Sequence, residues 1–284
     1  MRTNRTEEAE RVGNTYRRRL EAEGSCGPVP ALLWTPARIS PPWPLVLLGH
    51  GGEGSKDAKR YQELARFFAE RVRAAVLVID GPAHGERAPR TGTPLDRFRE
   101  TRRALADPET PGRMAGDWAA ALVVARRVEG LDSGPVGYFG LSMGTLLGVP
   151  SVVELPEVHS AVFALGGVPR ETGVAAVARA AGAPEAVVRI MLEEDAPAIR
   201  GRLLLEAAAR LGGREILLLN MDADETFSME GALRFFRAIP GPKRMAVWAG
   251  GHTDLPREAL ELAADFLRAR LSGPSDLSSL FSTE

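Results

Sequence analysis

Residues 136–144 read Val-Gly-Tyr-Phe-Gly-Leu-Ser-Met-Gly. A short apolar run rich in strand-forming side chains meets a Gly-x-Ser-x-Gly turn, and the chain beyond it reads as the start of a helix. This strand–turn–helix setting constrains the fold more than any other feature of the sequence. A serine on so sharp a turn sits on strained backbone, and side chains at positions 140 and 144 would collide with the adjacent strand and helix. Glycine at both places relieves the collision. The turn then presents the Ser142 hydroxyl at the carboxyl end of a sheet and aims the first helix amides toward it.

The rest of the chain supplies such a sheet. Apolar or β-rich runs at 29–34, 44–48, 75–79, 136–139, 158–165, 215–219 and 244–248 alternate with longer amphipathic ones. That alternation predicts an α/β fold with a mostly parallel central sheet and helices on both faces. Helices are predicted over 58–71, 114–128 and 255–271, the last with Leu260, Leu262, Phe266 and Leu267 inward. Pro150, soon after the turn, is expected to shorten or kink the helix it lies in. Two segments depart from the alternation. Residues 85–112 are rich in proline, arginine and threonine, without a strand pattern, and so long an excursion reads as functional. Residues 168–213 read as two or three helices between two strands, where a small helical cap would be inserted. With 284 residues, the expectation is one domain over 1–284 with that cap at 168–213. Residues 272–284 are serine-rich and expected to be poorly ordered, apart from a last turn near Leu280 and Phe281.

Composition excludes several classes. The formal net charge is −1, which argues against a nucleic-acid partner. The densest basic run, Arg17-Arg18-Arg19, reads as a solvated edge strand. The one cysteine, Cys26, lies in a Gly24-Ser25-Cys26-Gly27 turn, so no intrachain disulfide forms and a reducing compartment fits. There is no signal-peptide pattern and no stretch long enough to span a membrane, so a cytoplasmic protein is expected. Four histidines without His-x-x-x-His or Cys-x-x-Cys spacing argue against a metal site, and no cofactor is expected.

Other loops complete a reaction centre around Ser142. Leu48-Gly49-His50-Gly51-Gly52-Glu53-Gly54 follows the 44–48 strand, and its glycines let backbone N–H groups turn toward a ligand. Gly52 is the favoured oxyanion donor beside the amide of Met143, with Gly51 or Glu53 as alternatives. Phosphate-loop and dinucleotide readings fail on residue order. His252, in Gly250-Gly251-His252 after the 244–248 strand, has the setting of a general base. His50 reads as a structural hydrogen-bonder, His84 as a residue that lines the pocket or fixes a turn, and His159 as structural. Asp222 and Asp224, after the 215–219 strand, are the candidate acids that would orient His252. Asp224 lies further along the loop, and Asp222 reads as a turn former bonding its own backbone. His50, Gly51, Glu53 and His84 are candidate substrate-binding residues.

Taken together, Gly140-Leu141-Ser142-Met143-Gly144, His50-Gly51-Gly52 and Gly250-Gly251-His252 resemble the α/β-hydrolase superfamily, in which the order is Ser, Asp, His. Within it the chain is similar to dienelactone-hydrolase-like and prolyl-oligopeptidase-like serine esterases. Gly49-His50-Gly51-Gly52 with Ser55-Lys56, Asp80-Gly81-Pro82 leading into His84-Gly85-Glu86-Arg87, and Asp224-Glu225 with Phe227 carry that likeness. The resemblance runs from about residue 29 to 271 and implies Asp224 as the acid. Dienelactone hydrolases proper use a cysteine where this chain has Ser142, and Ser142 also argues against the aspartate-nucleophile branches. The implied activity is hydrolysis of a small-molecule carboxylic ester through an acyl-enzyme. The same machinery would serve a thioesterase, amidase, peptidase or acyltransferase. A non-catalytic binding protein on this fold typically lacks one triad member, and here all three are present.

Overall fold

Residues 45–48 and 75–79 are apolar without interruption, which suits strands covered on both faces. The structure is a computed structural model that describes residues 5–272 apart from 181 and 195. In chain order its elements begin with β1 (Arg5–Thr6), β2 (Glu10–Val12), β3 (Thr15–Gly24), β4 (Gly27–Pro36) and β5 (Trp43–Gly49). Then come α1 (Lys59–Phe68), β6 (Ala75–Ile79), α2 (Pro94–Ala106), α3 (Thr110–Ala125), β7 (Leu131–Leu141), α4 (Met143–Glu154) and β8 (Val158–Ala164). Helices α5 (Gly173–Ala180), α6 (Glu185–Glu194) and α7 (Pro197–Ala208) precede β9 (Glu215–Met221), α8 (Met229–Ala238), β10 (Lys243–Trp248) and α9 (Arg257–Leu271).

The strands form one sheet in the order β1-β3-β4-β6-β5-β7-β8-β9-β10, with β2 also paired to β3. From β6 to β10 every pairing is parallel. On the other side, β4 runs antiparallel to β6, and β3 to β4. Helices α1 and α9 cover one face, burying Tyr61, Leu64, Phe68, Ala263 and Leu267. On the opposite face α3, α4, α7 and α8 bury Trp118, Leu147, Leu204 and Phe235. Each such large side chain removed from water contributes roughly 1.5–3 kcal/mol. Strand β5 leads through α1 to its neighbour β6, whereas β7, on its other side, leads through α4 away to β8. The connections diverge between β5 and β7, which opens a crevice at their carboxyl ends, where open α/β sheets bind ligands.

Several expectations are corrected. Arg17, Arg18 and Arg19 lie on β3, which is not an edge strand: β4 pairs along one side and β1 and β2 along the other. Arginine stems still suit a half-buried strand, because the heads reach out to Glu10 from Arg17 and to Glu86 from Arg19. The 85–112 excursion contains α2, whose start is a capping box in which Thr93 and Asp96 satisfy each other's backbone. Leu262 points outward at 39% exposure, because the inward stripe of α9 is Ala259, Ala263, Ala264, Phe266, Leu267 and Leu271. Pro150 does not end its helix, and α4 continues to Glu154. Cys26 is exposed in the turn between β3 and β4. The expectation for 272–284, poor ordering apart from a turn near Leu280 and Phe281, falls from 273 onward outside the described residues. Among the described residues, no helix is long and apolar enough to cross a membrane.

Candidate active site

Ser142 stands between the end of β7 and the start of α4 with φ 53° and ψ −109°. A non-glycine residue there carries strain on the order of 1–3 kcal/mol, held only because the surroundings over-determine it. Two clamps do so. The Ser142 amide donates to Ala164 O at 2.9 Å, and the Thr145 hydroxyl lies 2.9 Å from Ala164 O and 3.0 Å from Gly140 O. The two glycines are required by close approach. A Cβ on Gly140 would come within 2.4 Å of Gly144 O, and one on Gly144 within 2.3 Å of Gly49 O. Both obstacles are backbone and cannot swing aside.

The Ser142 hydroxyl is 2.9 Å from His252 Nε2, and His252 Nδ1 is 2.8 Å from Asp224 Oδ2. Asp224 is buried, and its Oδ1 accepts from the amides of Thr226 at 2.7 Å and Phe227 at 2.8 Å. Asp224 thus takes three donors, two amides and the His252 ring, an arrangement that sets the His252 N–H on Nδ1 and turns the Nε2 lone pair to Ser142. The loop holding His252 is tied down along its length. Gly250 N donates to Asp222 Oδ1 at 3.0 Å, Gly251 N to Asp254 Oδ2 at 2.7 Å, and His252 N to Glu225 Oε2 at 2.9 Å. Asp222 therefore braces the histidine loop and does not merely cap its own turn. It is exposed, and its carboxylate takes the Gly250 amide while the imidazole turns to Asp224.

The loop after β5 faces this serine. Met143 is the first residue of α4, so its N–H has no intrahelical acceptor. A Cβ on Gly52 would lie 3.9 Å from the Met143 Cβ, so the two backbones flank one space. Gly51 is otherwise engaged, because its amide donates to the Tyr61 hydroxyl at 2.7 Å, and that hydroxyl donates to Glu53 Oε1 at 2.5 Å. Neither Gly51 nor His50 lines the cavity. His50 is buried behind the loop, where it donates from Nδ1 to Gly51 O and accepts the Gly81 amide at Nε2, each at 2.8 Å. Burial pushes its pKa down to about 4, so it stays neutral and structural. Glu53 and His84 do line the cavity. His84 also faces Pro82 O at 2.8 Å and Gly52 O at 3.1 Å, so it both borders the pocket and fixes the loops. His159 is exposed on β8, remote from this centre.

An ion cluster beneath these loops escapes sequence reasoning. Lys56 has no exposed surface and lies 2.7 Å from Asp57, 3.0 Å from the equally buried Asp80 and 2.5 Å from Glu86. Burial alone would lower the Lys56 ammonium, but hydrogen bonds to Asp57 and Glu86 and the charge of Asp80 outweigh it and hold it above its usual value. Asp80 also accepts the amides of Lys56 and Glu86 at 2.9 Å each. The cluster locks the 50–57 loop to the 80–87 loop. The same region presents Asp117, buried on α3, to Arg87 at 2.7 Å.

Ser142, Met143, Gly52 and His252 open on a cavity of about 670 Å³. Its wall includes Pro169, Ala178, Met191 and Arg200, so the segment between β8 and β9 closes part of it. Among the described residues, no group of three or more His, Cys, Asp or Glu side chains could hold a metal ion.

No protein-family profile matches the chain, and neither does any curated protein. Solved structures do. A cold-adapted esterase from an Arctic intertidal metagenomic library is 27% identical, with 93% of this chain and 98% of that chain covered and a TM-score of 0.71. Acetyl xylan esterase 1 from Thermoanaerobacterium sp. is 17% identical over 95% of this chain and 89% of its own, with a TM-score of 0.68. An esterase from Pyrococcus furiosus is 19% identical over 90% and 93%, with a TM-score of 0.65. The chain has the α/β-hydrolase fold. On that fold the serine turn after β7, the carboxylate loop after β9 and the histidine loop after β10 all open at the carboxyl end of the sheet, as the superfamily's Ser, Asp, His order implies.

Proposed function

We propose that the protein hydrolyses carboxylic esters of small molecules through an acyl-enzyme on Ser142. The observation that carries this reading is the unbroken relay from Ser142 Oγ through His252 to the buried Asp224, at 2.9 and 2.8 Å, on a strained turn at the cavity wall. Esterase neighbours on the same fold support it. His252 Nε2 takes the Ser142 proton as Oγ attacks the ester carbonyl, and the Asp224 charge stabilises the imidazolium. The amides of Gly52 and Met143 hold the oxyanion. His252 then protonates the departing alcohol, water attacks the acyl-serine by the same proton relay, and the acid leaves. Residues 168–213 serve as a cap that shapes the acyl site.

The experiment is stopped-flow hydrolysis of p-nitrophenyl butyrate. An acyl-enzyme gives a p-nitrophenol burst close to one equivalent of enzyme whenever deacylation limits, and Ser142→Ala abolishes both burst and turnover. Full turnover in Ser142→Ala would overturn the mechanism.

A further inference from the structure

The cavity is not uniform, and its two ends differ in burial. Near its mouth lie Glu53, Arg60 and Thr253, all exposed, with His252 partly so. At the other end Leu105, Leu147 and Ala178 are at most 9% exposed, with Phe98, Leu146 and Met191 beside them. One face of α2 builds this wall: Phe98, Thr101, Arg102 and Leu105 recur at the i, i+3, i+4, i+7 spacing of a single helical stripe. A neighbouring face of α2 is latched to α6 by Arg99, 3.5 Å from Glu193, and Arg103, 2.8 Å from Glu194. The roof over the apolar lobe is therefore a packed pair of helices. Arg102 and Arg200 also reach the wall, and each is already engaged within the protein.

Reaction geometry decides what enters each end. His252 hands its proton to the leaving alcohol, so the alcohol must depart on the His252 side, which is the open mouth. The acyl group lies on the far side of the carbonyl, toward Leu146 and Leu147 near the start of α4. Resting on the ester-hydrolase reading of Ser142, we propose that the deep lobe is an acyl pocket for an unbranched, uncharged chain of about six to ten carbons. At roughly 30 Å³ per heavy atom, about the share of one water in the liquid, the two carbons of an acetyl group take up about 60 Å³ of the cavity and an eight-carbon acyl chain about 240 Å³, with the remainder left to the alcohol side. Unfilled apolar wall forfeits its contacts, so each added methylene strengthens binding until the lobe is full.

Two measurements test this, one of them independent of turnover. Methyl esters from butanoate to dodecanoate are titrated into Ser142→Ala by calorimetry. Affinity rises about fourfold per methylene up to roughly eight carbons and then levels, because about 0.8 kcal/mol per buried methylene corresponds to that factor. Monomethyl suberate, with a carboxylate at the end of the chain, binds at least tenfold more weakly than methyl octanoate. In parallel, kcat/KM is measured for p-nitrophenyl acetate through dodecanoate, and the octanoate-to-acetate ratio falls at least tenfold in Ala178→Phe. Affinity independent of chain length, or a preference for the suberate, overturns the acyl pocket. Should affinity rise with length while no ester is hydrolysed, the pocket stands and the ester-hydrolase reading falls. Hydrolysis that is fastest for acetate leaves that reading in place and overturns the pocket.

Discussion

Replacing Asp224 with asparagine keeps the shape of the acid and removes its charge, and the surroundings dictate which way the amide must turn. Two backbone donors, Thr226 N and Phe227 N, converge on Oδ1 at 2.7 and 2.8 Å. If the asparagine oxygen stays there, its NH₂ faces His252 Nδ1, drives that nitrogen into the acceptor role and puts the ring proton on Nε2, against Ser142. If the amide flips to keep the correct tautomer, two buried N–H groups meet an NH₂. Each unsatisfied donor costs about 1–3 kcal/mol, so the flip is disfavoured by about 2 kcal/mol or more. That gap leaves the productive orientation at about 3% of molecules at most, before the lost charge on the imidazolium is counted. The same replacement in a serine protease lowers kcat about ten-thousandfold. For Asp224→Asn the expected loss in kcat on p-nitrophenyl butyrate is about a thousandfold or more, with near-UV circular dichroism and Tm close to wild type. In Asp222→Asn the side-chain oxygen still accepts the Gly250 amide, and kcat falls less than tenfold. The reverse ranking would transfer the acid role to Asp222, and two mild effects would refute the relay.

Two further outcomes concern the scaffold. The folded protein keeps His50 neutral with a pKa of about 4, against 6.5 for an unhindered histidine, so the unfolded chain binds the extra proton between these values. The stability from this group is thus fully present above about pH 6.5 and is lost as pH falls toward 4, by about 3 kcal/mol in all. Urea unfolding at pH 7 and 4.5 should show that loss reduced in His50→Gln, and equal pH slopes in the two proteins would refute it. Lys56→Met leaves Asp80 buried without its cation and should destabilise by about 3–5 kcal/mol, read as the change in urea midpoint at unchanged m. A loss under about 1 kcal/mol would mean that the cluster does not hold the loops.

What could be read from the sequence depended on how local the signal was. The serine turn was legible because the colliding atoms belong to Gly140, Gly144 and Gly49, two of them inside one five-residue motif. The buried parallel strands were legible because both of their faces are apolar. Strand β3 was read as a solvated edge because its three arginines masked the burial of Leu20 and Ala22 on one face. On α9 the leucines drew attention away from alanines, which set the inward stripe because close packing on the sheet favours small residues. Helix α2 had a readable start, Thr93-Pro94 with Asp96, that the surrounding prolines and arginines obscured. The Lys56 cluster had no local signal, since Asp80 and Glu86 are 24 and 30 residues away. Asp224 was favoured over Asp222 by its place in the loop and its Asp224-Glu225-x-Phe227 setting, but that Asp222 is exposed and braces the histidine loop is visible only in the fold.

The central claim is that Ser142 is a nucleophile activated by His252. It is tested most directly by incubating the protein with a fluorophosphonate and locating the adduct by peptide mass spectrometry. The expected product is one phosphonyl group per chain, on the peptide containing Ser142, formed at least a hundredfold more slowly in His252→Ala and not at all in Ser142→Ala. An unlabelled protein, or an adduct on any other residue at comparable rate, would contradict it.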